Sequence, residues 1–97
     1  MSIRRKEQSI SEAVKHLIRH LGLEEKLLLM RVEDTWAKLM GENIAQHTIK
    51  ISSKQSTLII HLDSSVLRQE LSLCRSKILS LLNEELGEEI FTEVKFL

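Results

Sequence analysis

The stretch TIKISSKQSTLIIHL, residues 48–62, decides the fold class. Upstream of it, apolar residues recur every three or four positions; inside it they alternate. Ile49 and Ile51 fall on one side of its first half, and Leu58, Ile60 and Leu62 on one side of its second. A period of two puts side chains on one face of a pleated strand. The polar run Ser53-Lys54-Gln55-Ser56 between the halves reads as the turn of a β-hairpin.

Downstream, the helical period returns. Asp63 or Ser64 supplies an N-cap for a helix over residues 65–86. Its apolar stripe is Leu67, Leu71, Cys74, Ile78, Leu81 and Leu82, widened by Leu79 and Leu86, and Gly87 ends it. Val94 and Phe96 then alternate with Glu93 and Lys95, which predicts a third strand within residues 90–97.

Upstream, residues 23–40 predict a helix with Glu24 and Glu25 at the positive end of its dipole. Leu28, Leu29, Val32, Trp36, Leu39 and Met40 form its core stripe, and Gly41 stops it. Before it, Ser9 and Glu12 make a capping-box pattern that opens a helix over residues 10–21. That helix carries Ile10, Val14, Leu17, Ile18 and Leu21 on one face and ends at Gly22. The order is α-α-β-β-α-β. A hairpin joined to a third strand through a long helix predicts an α+β fold, with a three-stranded sheet covered by helices on one face.

The chain has 97 residues, 42% of them hydrophobic, enough for one modest core. Residues 1–8 read as a flexible basic N-terminal arm and residues 9–97 as the domain. No apolar run approaches the roughly 20 residues of a membrane span, and no apolar signal core follows the basic start. With a single cysteine, Cys74, these features predict a cytoplasmic protein that does not engage a membrane.

Formal charge sums to zero but is unevenly placed. Residues 1–20 carry Arg4, Arg5, Lys6, Lys15 and Arg19 against Glu7 and Glu12, a balance of +3. Residues 83–97 carry Glu84, Glu85, Glu88, Glu89 and Glu93 against Lys95, a balance of −4. Such polarity orients a molecule on an anionic partner.

The residues for catalysis are thin. The three glycines are too far apart for a phosphate-binding loop, and there is no nucleophile elbow. His16 and His20 share a helix at i, i+4, but two ligands do not make a metal site. Cys74, on an apolar stripe, reads as a small hydrophobe. The expectation is a protein that is not an enzyme and needs no metal or cofactor. Binding residues are better represented. Arg4, Arg5 and Lys6, with Lys15 and Arg19 on the following helix and Arg31 and Lys38 on the next, suit weak, sequence-independent contact with nucleic-acid phosphates. Leu27, Met30 and Leu73 lie off the core stripes and suit a protein partner. Trp36 reads either as a packed anchor or as an interface hot spot.

Two segments add a family likeness. Trp36, Gly41, Ile44-Ala45 and His47-Thr48 spell W-x4-G-x2-IA-x-HT, and residues 64–71 spell SSVLRQEL. Leu82-Asn83, Leu86-Gly87 and the Val94-Lys95-Phe96 strand follow. In this the chain resembles the DciA family of bacterial replicative-helicase loaders over about residues 8–97. The resemblance implies a KH-like domain that associates with DNA and the replicative helicase and promotes loading, without an ATPase of its own. Many members add a long basic extension, and this chain is expected to carry only the domain. It also lacks the GxxG loop with which KH domains clamp nucleic acid. The competing expectation is a protein-interaction module or homodimer without nucleic-acid affinity. A contiguous basic face built from Arg4, Arg5, Lys6, Lys15 and Arg19 would separate the two.

Overall fold

The computed structural model describes residues 2–97, with side chains from residue 11 onward. The elements are α1 (Ser2–Leu21), α2 (Glu24–Met40), α3 (Glu42–Gln46), β1 (Thr48–Lys54), β2 (Thr57–Leu62), α4 (Ser65–Leu73), α5 (Arg75–Leu86) and β3 (Glu93–Phe96). The sheet order is β1-β2-β3. β1 and β2 are antiparallel, joined by a tight turn in which Gln55 takes a positive φ. β2 and β3 are parallel, so the chain must cross over between them, and α4 and α5 are that crossover. The α+β class and the order of the main elements are those the sequence predicts.

The core lies between one sheet face and the helices. Ile51, Leu58, Ile60, Leu62 and Val94 come from the strands; Val32, Trp36, Leu71, Ile78, Leu82 and Leu86 from the helices; and Phe91 from the loop before β3. Fully burying an aliphatic side chain such as Leu58 or Ile60 stabilises the fold by about 1.5–3 kcal/mol. Phe96 meets Trp36 at a ring-centroid separation of 6.1 Å, which ties the last strand to α2.

Four details differ from the sequence expectation. First, Ile49 and Ile51 do not share a face. Thr48 pairs with Leu62 and Lys50 with His61, so Ile49 is the extra residue of a β-bulge. The bulge turns Ile51 inward and leaves Ile49 68% exposed. Second, the helix expected over residues 65–86 breaks at Cys74. The Cys74 N–H bonds back to the Leu71 carbonyl, three residues away, and its own carbonyl accepts the Ile78 N–H that starts α5. The break turns Cys74 to the surface, so it is not the buried hydrophobe of the stripe. Leu81 is exposed as well.

Third, α1 starts at Ser2, so Ser9 and Glu12 lie within it and not at its first turn. Fourth, the apolar face of α1 does not enter the core. Gly22, at φ 68°, closes the helix: the Leu23 N–H bonds to the Ile18 carbonyl and the Gly22 N–H to that of Arg19. This is the Schellman arrangement, which requires the left-handed conformation that glycine takes cheaply. The chain then departs along α2, and among the described residues of α1 none is buried. The molecule is accordingly long, 53 × 26 × 23 Å.

Candidate binding surfaces

The basic residues singled out in the sequence fall, among those described, on two helices. Arg4, Arg5 and Lys6 lie outside the described side chains. Lys15 and Arg19 are exposed on α1, where Arg19 Nε stands 3.9 Å from Glu24 Oε1 across the Gly22 turn. Arg31 and Lys38 point elsewhere. An Arg31 guanidinium nitrogen donates to the Leu86 carbonyl at 3.0 Å, satisfying an orphan acceptor at the C-terminus of α5. Lys38 Nζ donates to Glu85 Oε2 at 3.2 Å. Both reach α5 across the α2–α5 contact while remaining exposed. The pull comes from the negative end of the α5 dipole and the glutamates beside it.

The apolar residues divide as well. Leu27 and Met30 are exposed on α2, and Leu73 is 83% exposed at the end of α4. Trp36 is 1% exposed, so it anchors the core and offers nothing to a partner. Its indole Nε1–H donates to Thr48 Oγ1 at 2.9 Å, and the Thr48 hydroxyl donates to the Ile44 carbonyl at 2.9 Å. Gly41, at φ 88° and ψ 167°, makes the joint between α2 and α3 that lets this relay close. The W-x4-G-x2-IA-x-HT pattern is therefore a folding device. The second segment is one too. Ser64 Oγ accepts the Leu67 N–H at 3.3 Å and caps α4, while Arg68 donates to the Leu62 carbonyl at 2.8 Å.

Sequence reasoning missed the sheet's outer face. The strand register sets Lys50 beside His61, Ser52 and Lys95 on either side of Ile59, and Lys54 and Glu93 on either side of Thr57. Lys50, Lys54 and Lys95 are all exposed. The signal was present in the alternation itself, because every position between two core positions of a strand points away from the core.

Groups suited to other chemistry stay apart. Among the described residues no three of His, Cys, Asp and Glu are placed to hold a metal. His47 Nδ1 and Asp63 Oδ1 are 2.7 Å apart on the surface, a contact that joins the start of β1 to the end of β2. A surface depression between α5 and the loop after it is rimmed by Glu84, Glu88 and Glu89, which repel a phosphate. No described helix is long and apolar enough to cross a membrane.

Comparison with known proteins finds a family and a relative by sequence. The family described as "Dna[CI] antecedent, DciA" matches residues 9–96, nearly the whole chain. The UPF0232 protein of Corynebacterium glutamicum (strain R) is 34% identical over 64 residues, which are 66% of this chain and 36% of that protein. The matched segment thus spans about a third of the relative's length. No solved structure matches. A match over residues 9–96, covering the tryptophan relay, the capped α4 and the final strand, shows that this chain belongs to the DciA family.

Proposed function

We propose that this protein is a non-enzymatic replication accessory that holds the replicative helicase and DNA together and promotes loading of the helicase. The observation that carries this reading is family membership over residues 9–96, because the DciA family is associated with replicative-helicase loading. A loader without chemistry of its own acts by differential binding, favouring a helicase state that admits single-stranded DNA. The exposed apolar residues Leu27, Met30 and Leu73 are the proposed helicase contacts. The basic N-terminal segment with Lys15 and Arg19, joined by Lys50, Lys54 and Lys95 of the sheet, is the proposed DNA contact. It is KH-like in the order of its elements, and without a GxxG loop its DNA contacts depend on charge. Such contacts give modest, sequence-independent and salt-sensitive affinity.

The deciding experiment is helicase loading on a single-stranded DNA circle, with and without the protein, at saturating ATP. Loading is expected to rise several-fold. No change in loading, together with no complex at tens of micromolar, roughly ten times a micromolar dissociation constant, would discard the loader reading. The remaining reading would be a protein-interaction module, which the uncovered apolar face of α1 favours.

A further inference from the structure

Ile51, Leu58, Ile60, Leu62 and Val94 face the helices, so the strand positions between them form an outer face. The register lays this face out in rows. Lys54, Thr57 and Glu93 make the row nearest the hairpin turn; Ser52, Ile59 and Lys95 the middle one; Lys50, His61 and Leu97 the last. With strands about 4.8 Å apart and residues about 3.3 Å apart along them, Lys50, Lys54 and Lys95 stand at the corners of a triangle with sides of about 12–13 Å. Ile59 lies inside it, an apolar side chain only half-buried. The line from Lys95 to Lys50 passes between Ile59 and His61.

The charge balance of this face is positive. Its strands carry Lys50, Lys54 and Lys95 against Glu93, a sum of +2. Glu33 of α2 borders the β1 edge beside Lys50, and with it the sum is +1. Asp63 at the rim is held by His47. Among the described residues none of the three lysines is in an ion pair, unlike Arg19 and Lys38. Their amines are therefore open to an outside anion. Glu93 sits at the hairpin end and steers an anionic chain to the Lys95–Lys50 diagonal, which runs over Ile59 and His61.

Cations set apart by an apolar side chain and an imidazole suit a ligand that carries charge at intervals and flat faces between the charges. An acidic peptide has the charge without the faces. Duplex DNA hides its base faces in the stack, and a face three strands across, about 10 Å between its outer backbones and broader with their side chains, does not fit a major groove about 12 Å wide without deforming it. A single strand presents both phosphates and base faces. We infer that the outer face of the sheet selects single-stranded over duplex DNA: Lys95 and Lys50 hold phosphates, and Ile59 and His61 take the faces of bases between them. This rests on the DNA contact proposed above and adds to it the form of the strand and the residues that read it.

The test is fluorescence anisotropy of the full chain with a labelled oligothymidine and with a duplex of equal length at one salt concentration. The parent is expected to bind the single strand about tenfold more tightly, the scale of one stacked base. Ile59→Thr with His61→Thr keeps good strand formers and touches no core side chain, so the fold should be retained. That variant should lose about tenfold on the single strand and stay within twofold on the duplex. His61→Phe, which enlarges the stacking face, should hold or raise single-strand affinity, a response that a structural role for His61 does not produce and that can be read even if the double variant fails to fold. Lys50→Ala with Lys95→Ala should weaken both forms. Equal affinity of the parent for the two forms would overturn the inference and leave the charge-based DNA contact standing. A preference that survives the double threonine change, or a His61→Phe variant weakened on the single strand, would overturn it as well. Binding of neither form would overturn both readings.

Discussion

Trp36 and Asn83 are the two side chains on which most of the local order depends, and neither works as a binding group. Trp36 fills the space between α2 and the sheet and spends its only donor on Thr48. Trp36→Ala should cost about 3–5 kcal/mol, as large-to-small changes of a buried aromatic do, measured as a shift in urea midpoint at unchanged slope. A variant that melts within a degree or two of the parent would place Trp36 outside the core. Asn83 does for the final loop what Trp36 does for the first joint. Its Oδ1 accepts the N–H groups of Ile90 and Phe91, both at 3.1 Å, and its Nδ2 donates to the Phe91 carbonyl at 2.8 Å. Asn83→Ala leaves the Phe91 N–H and carbonyl to find other partners, the Ile90 N–H keeping the Glu88 carbonyl at 3.0 Å, and should cost about 2–3 kcal/mol, whereas Leu73→Ala, on the surface, should stay within about 0.5 kcal/mol. At this scale the sequence was half legible. The stripe position of Trp36 predicted its burial. Cys74 sat on an equally regular stripe and is exposed, because periodicity assumes an unbroken helix and has no term for a kink.

Helices and strands were the most legible level. Alternation over residues 48–62 produced the hairpin, Gly22, Gly41 and Gly87 marked helix ends, and a third strand was expected through a long helical connection, its parallel pairing with β2 being what the structure adds. What escaped depends on tertiary context. The bulge at Ile49 is invisible in a pattern that still alternates, and α1 is as amphipathic as a core helix although its face is uncovered. The candidate site suffered most, since a helical wheel shows which way a lysine points but not what it meets. Arg31 and Lys38 share a face of α2 and were read as extending a phosphate patch; the structure adds that each also bonds to α5, at the Leu86 carbonyl and Glu85. Replacing the two with Ala should therefore lower stability by about 1–2 kcal/mol and leave affinity for single-stranded DNA within twofold. A loss of DNA affinity much beyond twofold, at unchanged stability, would return them to the binding face.

Over the whole molecule, the charge is polarised from a basic N-terminal end to glutamates clustered after α5, with the lysines of the outer sheet face as a third region. A neutral total hides this arrangement, and association with a polyanion depends on the local field and not on the sum. If the N-terminal segment makes the DNA contact, each phosphate it neutralises releases condensed counterions and steepens the salt dependence by about 0.7 in log–log slope for a single strand. Replacing Arg4, Arg5 and Lys6 together with Ala should then lower affinity equally for all sequences and reduce that slope by up to about 2. Replacing Lys50, Lys54 and Lys95 together provides the comparison. Should only the sheet variant flatten the slope, the DNA lies across the strands and the N-terminal segment serves another partner. If both do, one strand tracks from α1 to the sheet, and combining the two sets should leave only the share of Lys15 and Arg19, a slope of about 1.4. An unchanged slope in every variant would remove phosphate contact from the proposed function and leave protein association, through exposed apolar residues such as Leu27, Met30 and Leu73, as the remaining reading.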